Sequence, residues 1–253
     1  MAYAWLPGAR RIRAGTDGGP LGGGIPRAVW LTLGSLPGRV SVQSAAERLI
    51  TERRACHLIW DPVTGEIAQL ISVLRAGRAL GAADRLDWAP ERIRSQPENV
   101  NGQGRICVQI GVLSTAADPF TSGPMHGVEA IVSWLDAWGV ARRWPCGQPS
   151  GLAGGSRAGQ GGAGCLGGLG DLGGLGDLGG PGDQRCEPHQ GGQAGRRVLW
   201  ARGGHFGGSQ VPGCEHAGPG SIDIDRLTGP RGRQVHAREL PAQLAAAALP
   251  IPA

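Results

Sequence analysis

Phenylalanine and tyrosine are almost missing from this 253-residue sequence, which contains two Phe and one Tyr. Eight tryptophans partly replace them as large core side chains, and most of these lie in the first 145 residues. Glycine and proline, with 47 and 19 residues, exceed a quarter of the chain, a share typical of low-complexity sequence. We therefore expect the hydrophobic core to form mainly from the first 145 residues.

Long apolar runs are missing as well. No segment reaches the 18 apolar residues of a membrane-spanning helix, and the N-terminal MAYAWLPGARRIRAG lacks the apolar stretch of a secretory signal peptide. These absences predict no transmembrane segment and no membrane partner. They favour synthesis in the cytoplasm and leave the final location unknown.

Several signatures of common chemistry are also missing. The six cysteines form no CxxC pair and no zinc-finger spacing, and Cys107, in a strand-like run, is expected to be a buried thiol. The sequence contains no G-x-S-x-G motif, no Walker loop and no clear pair of catalytic carboxylates. The formal net charge of +5, with a pI near 9.2, suits an anionic partner such as nucleic acid or a cell-wall polymer. Because the arginines are scattered and no nucleic-acid-binding module is present, nucleic acid is not predicted as a partner.

The apolar patterns that are present predict an α/β fold. AVWLTL, at 28–33, predicts a buried strand, and a helix is expected from about 45 to 55, with Ser44 and Glu47 at capping-box spacing. HLIWDPVTGEIAQLI predicts two strands around a turn, and RICVQIGVL, apolar on both faces, predicts a central strand. GVEAIVSWLDAWGV has apolar residues at helical spacing, with Gly139 as its stop.

Glycine dominates the sequence that follows. Residues 147–197 include the hexads GGLGDL, GGLGDL and GGPGDQ, for which calcium binding is an alternative to a disordered linker. The linker is favoured, because so much glycine loses more backbone entropy on ordering than a few leucines offset. The predicted organisation is listed by residue range: an N-terminal Gly/Pro-rich approach 1–26, an α/β domain 27–146, a Gly-rich insertion 147–197, a return to the domain 198–228 and a flexible tail 229–253.

Five segments together resemble one family in their order and spacing: AVWLTL, HLIWDPVTGEIAQL, ICVQIGV, WLDAWGVARRWP and GGHFGGSQVPGCEHAGPGSID. The sequence resembles zinc-dependent N-acetylmuramoyl-L-alanine amidases of the amidase-2, or peptidoglycan-recognition, fold, in the form found in actinobacterial and phage cell-wall lysins. The resemblance covers roughly residues 4–145 and 198–228. It implies a mixed central sheet flanked by helices, a peptidoglycan or muropeptide partner, and a zinc ion in a surface groove. There the zinc activates the water that cleaves the amide between muramic acid and L-alanine.

The resemblance also implies where the zinc ligands would stand. The positions of the two ligand histidines correspond to Leu31 and Gly208, that of the ligand aspartate to Gly218, and that of a general base to Gly111. Leucine and glycine side chains offer no lone pair, so the intact metal site is predicted to be lost, no zinc is expected, and hydrolysis is predicted to be weak or absent.

Other histidines and cysteines offer alternatives. His205, Cys214 and His216 carry side chains that zinc prefers, although their spacing matches no standard site, so a relocated site and unliganded loop residues both stay open. In the family frame, His57 and Trp60 lie near the groove and are candidates for substrate binding, with a hydrogen-bonded strand histidine as the alternative for His57.

Three functions are compatible with this sequence. The first is an amidase-family protein with impaired catalysis, and the second is a non-catalytic peptidoglycan-binding module. In both, the protein would act on the cell wall once released from the cytoplasm. The third is a degenerate gene product, since out-of-frame reading of a GC-rich gene would also produce a glycine-rich middle.

Overall fold

The structure is a computed structural model that describes residues 2–20, 24–80, 107–149, 193–212, 214 and 218–229. Most of the predicted Gly-rich disordered insertion lies outside these ranges, as do the hexads, the predicted tail beyond Gly229, and His216. The chain in the described ranges forms a mixed sheet with helices on both faces, which agrees with the predicted α/β class.

Six strands and four α-helices make up the described fold. The strands are β1 (Arg10–Arg11), β2 (Arg27–Thr32), β3 (Leu58–Trp60), β4 (Ile67–Gln69), β5 (Val108–Val112) and β6 (Gly204–Gly207). The helices are α1 (Val42–Thr51), α2 (Val128–Ala137), α3 (Gln193–Ala201) and α4 (Ile224–Thr228), and a 3-10 turn covers Gly208–Gln210. None of the helices in the described part of the chain has the length and apolar character needed to cross a membrane.

The strand order in the sheet is β1-β4-β3-β5-β2-β6. β3, β5, β2 and β6 are parallel, whereas β4 runs antiparallel to β3 and pairs in parallel with β1. From β2 the chain passes through α1 to β3, on one side of β5, and from β5 it returns to β6, on the other side of β2. The direction of winding therefore reverses between the neighbouring strands β2 and β5.

Three sequence predictions of strands are confirmed. AVWLTL covers β2 except for its first residue, Arg27, and HLIWDPVTGEIAQLI forms the antiparallel pair β3 and β4 around its turn. RICVQIGVL contains β5, which lies between β3 and β2 and is buried along its whole length. Its two apolar faces contact two separate core layers, as expected for a central strand.

The two predicted helices form with small differences at their ends. α1 begins at Val42, because Ser41 rather than Ser44 is the N-cap and its hydroxyl accepts a hydrogen bond from the Ser44 amide at 3.1 Å. α2 ends as predicted before Gly139, whose φ of 78° is the left-handed conformation that favours glycine after a helix.

The core has one layer on each face of the sheet. α1 and Trp200 of α3 pack on the first face, which we call the α1 face, and α2 and α4 pack on the second, the α2 face. Side chains alternate along β2: Val29 and Leu31 contact the α1 layer, and Ala28 and Trp30 contact the α2 layer. The sheet is therefore covered on both sides at its centre.

Two predicted domain boundaries differ from the structure. The first residues are not an approach to the domain: β1 is a strand of the sheet, Leu6 is buried in the α2 layer, and its amide donates to the Gln69 Oε1 at 2.6 Å. α3 begins at Gln193, inside the range assigned to the insertion, because its apolar residue Trp200 packs on the α1 layer and the helix leads directly into β6.

Candidate functional site

The carboxyl ends of β3, β5, β2 and β6 meet at one edge of the sheet, because these four strands are parallel. In open α/β sheets, ligands bind outside the carboxyl ends of the strands, at the point where the winding direction reverses. In this fold that point is the crevice between β2 and β5. It is the place where the topology favours a binding site.

The four positions singled out from the resemblance come together at this crevice. Leu31 of β2 is directly opposite Gly111 of β5 in the strand register. β6 pairs with β2 and continues into the turn that begins at Gly208, and the amide of Ser209 donates to the carbonyl of Gly218 at 2.9 Å. A segment distant in sequence is thereby attached to the ends of two neighbouring strands.

These positions do not fit a zinc ion. Leu31 is 1% exposed and packs in the α1 layer, and none of the four residues has a side-chain atom that can coordinate a metal. A Cβ atom on Gly111 would lie 3.0 Å from Leu33 Cδ2 and 3.1 Å from Cys56 Sγ, so apolar groups occupy the space of a general base. A Cβ on Gly218 would collide with the Thr32 hydroxyl, so this position has no room for a ligand side chain unless Thr32 shifts.

The residues of the alternative metal site are divided between the two faces of the sheet. The His205 ring is stacked between Trp30 and Trp144, with ring centroids 6.1 and 5.8 Å away, on the α2 face. Cys214 packs against the α1 layer, and its Sγ contacts the Leu80 carbonyl at 3.4 Å. Within the described ranges, no three His, Cys, Asp or Glu side chains are grouped so that they could hold a metal ion. His216, the third member, is outside those ranges.

His205 has the hydrogen bonding of a neutral core imidazole. Its Nδ1 accepts a hydrogen bond from Trp30 Nε1 at 3.0 Å, which leaves the proton on Nε2. Nε2 is buried without a hydrogen-bond partner among the described residues. Burial lowers the pKa of His205 to about 3, so the ring carries no charge at neutral pH.

His57 and Trp60, the two candidates for substrate binding, are fully buried. His57 Nδ1 accepts from the Gln109 amide at 3.0 Å, its Nε2 is 2.7 Å from the Arg75 carbonyl, and burial lowers its pKa to about 4. The Trp60 Nε1 donates to the His126 carbonyl at 2.7 Å. Because both side chains are inaccessible and their polar atoms are satisfied within the chain, they hold the fold together and present no surface to a ligand.

A cavity of about 260 Å³ opens beside the crevice, between the end of β2 and the end of α1. Its apolar wall includes Leu31 and Leu49, and its charged residues are Arg48, Glu52 and Arg54. Apolar periodicity does not mark these charged residues, because charges near a helix end are usually solvated. The sequence feature that indicates charged residues at this place is the run from Glu52 to Arg54, which directly follows the apolar stripe of α1.

Comparison of the chain with protein-family models, with curated proteins and with solved structures finds no match. The functional assignment therefore depends on the residues of the crevice and of the cavity beside it.

Proposed function

We propose that this chain is a peptidoglycan-binding protein of the N-acetylmuramoyl-L-alanine amidase type that does not hydrolyse the amide bond. One observation carries the proposal. The four positions at which the resemblance would require metal ligands and a base lie together at the ends of β2, β5 and β6 and carry only leucine and glycine. This arrangement supports a crevice that binds a ligand without the side chains that hydrolysis would require.

Amide hydrolysis needs a nucleophilic water at neutral pH, and none of the four positions at the crevice carries a side chain that would supply one. A water molecule becomes a good nucleophile when a metal lowers its pKa or a neighbouring base removes its proton. Gly111 is not a base, and Leu31, Gly208 and Gly218 cannot coordinate. The cavity beside them has apolar and charged walls, as ligand-binding sites commonly have.

Sedimentation with purified, insoluble peptidoglycan tests this function. The full chain is expected to sediment with the cell wall and to stay in solution with cellulose of equal mass. In the same samples, with and without added Zn²⁺, no free amino groups of L-alanine are expected to be released. The turbidity of the cell-wall suspension is expected to stay constant. Release of those groups would make the protein an amidase, and equal sedimentation with both polymers would remove the claim of specific binding.

A further inference from the structure

A surface at the β1 edge of the sheet combines accessible aromatic rings with exposed arginines. It consists of Tyr3, Trp5, Arg11, Arg13 and Trp138, and we call it the N-terminal aromatic surface. In the strand order, β4 and β3 lie between β1 and the crevice formed by β5 and β2. The N-terminal aromatic surface is therefore separate from the crevice to which the proposed function refers.

The extended chain at β1 places Arg11 and Arg13 on one side of this edge. Ile12 and Ala14 pack against the α1 layer, and their amides each donate at 3.1 Å to a carbonyl at or directly after the end of β4. Because side chains alternate along an extended chain, Arg11 and Arg13 lie on the opposite side, towards the α2 face. The Trp5 ring is on that side as well, with its centroid 5.1 Å from the guanidinium carbon of Arg11.

Tyr3 and Trp5 are large aromatic residues that the core does not use. Neither belongs to the α1 layer or the α2 layer, and Tyr3 is 67% exposed. The half-buried Trp138 packs against the α2 layer, and its Nε1 donates to the Tyr3 carbonyl at 3.0 Å, so these two residues are neighbours. Within the described ranges, none of the three rings stacks on another aromatic ring. Each ring therefore keeps part of its surface accessible to a ligand.

The positive charge of this surface is not neutralised by carboxylates of the described chain. Neither Arg11 nor Arg13 forms an ion pair in the part of the chain that the structure describes. Glu66 is paired with Arg10 at 3.8 Å, and Arg10 is on the other side of β1 because it alternates with Arg11. A ligand that fits the N-terminal aromatic surface therefore carries anionic groups beside flat groups that can stack on the rings.

We propose that the N-terminal aromatic surface binds single-stranded nucleic acid, with its phosphates on the two arginines and its bases on the three rings. Proteins that bind single strands without sequence preference combine these two kinds of contact. An inorganic polyphosphate would satisfy only the arginines, and an uncharged glycan would satisfy only the rings. The sequence alone does not predict this partner, because Trp138 joins the N-terminal residues only when the chain folds.

Fluorescence anisotropy of the full chain with a labelled oligothymidylate of about 12 nucleotides tests the proposal. The single strand is expected to bind at least about fivefold more tightly than a duplex of the same length, because the bases of a duplex are already stacked on one another. Inorganic polyphosphate of equal charge should compete at least about fivefold more weakly than the unlabelled strand. Equal competition by polyphosphate would overturn the proposal, and so would displacement of the probe by stem-free glycan strands.

Three variants separate stacking from charge. Tyr3→Ala removes an exposed ring but keeps the backbone carbonyl that the Trp138 indole contacts, and it is expected to weaken binding about fivefold or more. Arg13→Gln is expected to reduce the slope of log affinity against log salt by about 0.7, the value for one phosphate contact on a single strand. Arg196→Gln, on the exposed surface of α3, removes the same charge and should keep the affinity within about twofold. Unchanged binding by Tyr3→Ala, or equal losses in the two arginine variants, would overturn the assignment to this surface.

Discussion

Arg53 has an unfavourable backbone conformation for its residue type. A left-handed φ costs a non-glycine residue about 1–2 kcal/mol, whereas glycine adopts it without steric strain. We predict that the free energy of unfolding of Arg53→Gly exceeds that of Arg53→Ala, which removes the same side chain, by about 0.5–1 kcal/mol, after the greater backbone entropy of unfolded glycine is subtracted. Urea denaturation measures the change, with Arg39→Gly, in the exposed turn before α1, as the control. A glycine variant no more stable than the alanine variant would contradict the left-handed backbone conformation of residue 53.

Two buried imidazoles give the protein a defined sensitivity to acid. Burial lowers the pKa of His57 to about 4 and that of His205 to about 3, from an ordinary value near 6.5. The unfolded chain therefore binds these protons at a higher pH than the folded chain does, and stability falls as pH decreases from about 6.5 towards 4. For His57 alone the loss is on the order of 3 kcal/mol.

Urea titrations at a series of pH values check this prediction. The unfolding midpoint of the parent protein should decrease steadily from pH 7 to pH 4.5. His57→Gln is expected to be less stable at pH 7, because it loses hydrogen bonds to the Gln109 amide and the Arg75 carbonyl, but to depend less on pH. An identical pH dependence in parent and variant would show that His57 is not held neutral by burial.

At the scale of elements, the N-terminal segment is part of the folded domain. The Gln69 Nε2 donates to the Ala4 carbonyl at 3.1 Å, and the Trp134 and Trp138 indoles donate to the Tyr3 carbonyl at 2.7 and 3.0 Å. We predict that deletion of residues 2–12 costs at least about 3 kcal/mol, because it exposes the edge of β4 and removes the buried Leu6.

Tyr3→Ala is the matched control for this deletion. Tyr3 is 67% exposed and its hydrogen bonds to the two indoles use the backbone carbonyl, so the substitution should change stability by less than about 0.5 kcal/mol. Thermal unfolding of the three proteins decides the question. A deletion variant as stable as the parent would mean that β1 contributes nothing to the sheet.

The proposed correspondence between the crevice and a metal site can be tested by introducing ligands there. Leu31→His, Gly208→His and Gly218→Asp would supply three ligands, but the side chain at 218 collides with Thr32. We predict that the triple variant alone is destabilised by about 1–3 kcal/mol. Adding Thr32→Ala should allow binding of about one zinc per chain.

Metal analysis of the folded quadruple variant measures this outcome. The control keeps Thr32→Ala and two of the three ligands, with Gly218 unchanged, and should bind zinc much more weakly because one ligand is missing. A quadruple variant that folds and stays metal-free would show that residues 31, 208 and 218 do not face a common point.

Apolar periodicity was sufficient to predict β2, β5, α1 and α2, because each buries a regular stripe or a two-sided face. β1 could not be predicted this way, since it consists of Arg10 and Arg11, both exposed, and its pairing with β4 depends on backbone hydrogen bonds. The cavity was also beyond prediction, because its walls come from β2, α1 and Ala79, which are distant in sequence.

For the whole molecule, core stability favours an apolar side chain at position 31, whereas metal binding would require a polar one. Leu31 is a buried member of the α1 layer, where a histidine would need a polar partner that the layer does not offer. With leucine at this position the layer continues to the end of β2. The absence of a histidine at position 31 therefore does not weaken the fold, which is compatible with the proposed role in binding without catalysis.

The described chain on either side of residues 150–192 is attached to the same edge of the sheet. The His205 amide donates to the Arg143 carbonyl at 2.8 Å, the Gln210 amide group donates to the Gly147 carbonyl at 3.0 Å, and α3 runs directly into β6. α3 is only about 13 Å long at ~1.5 Å per residue. The described chain therefore leaves and rejoins the fold in the same region. A foreign loop or an affinity tag can be inserted there, with the rest of the fold as its scaffold.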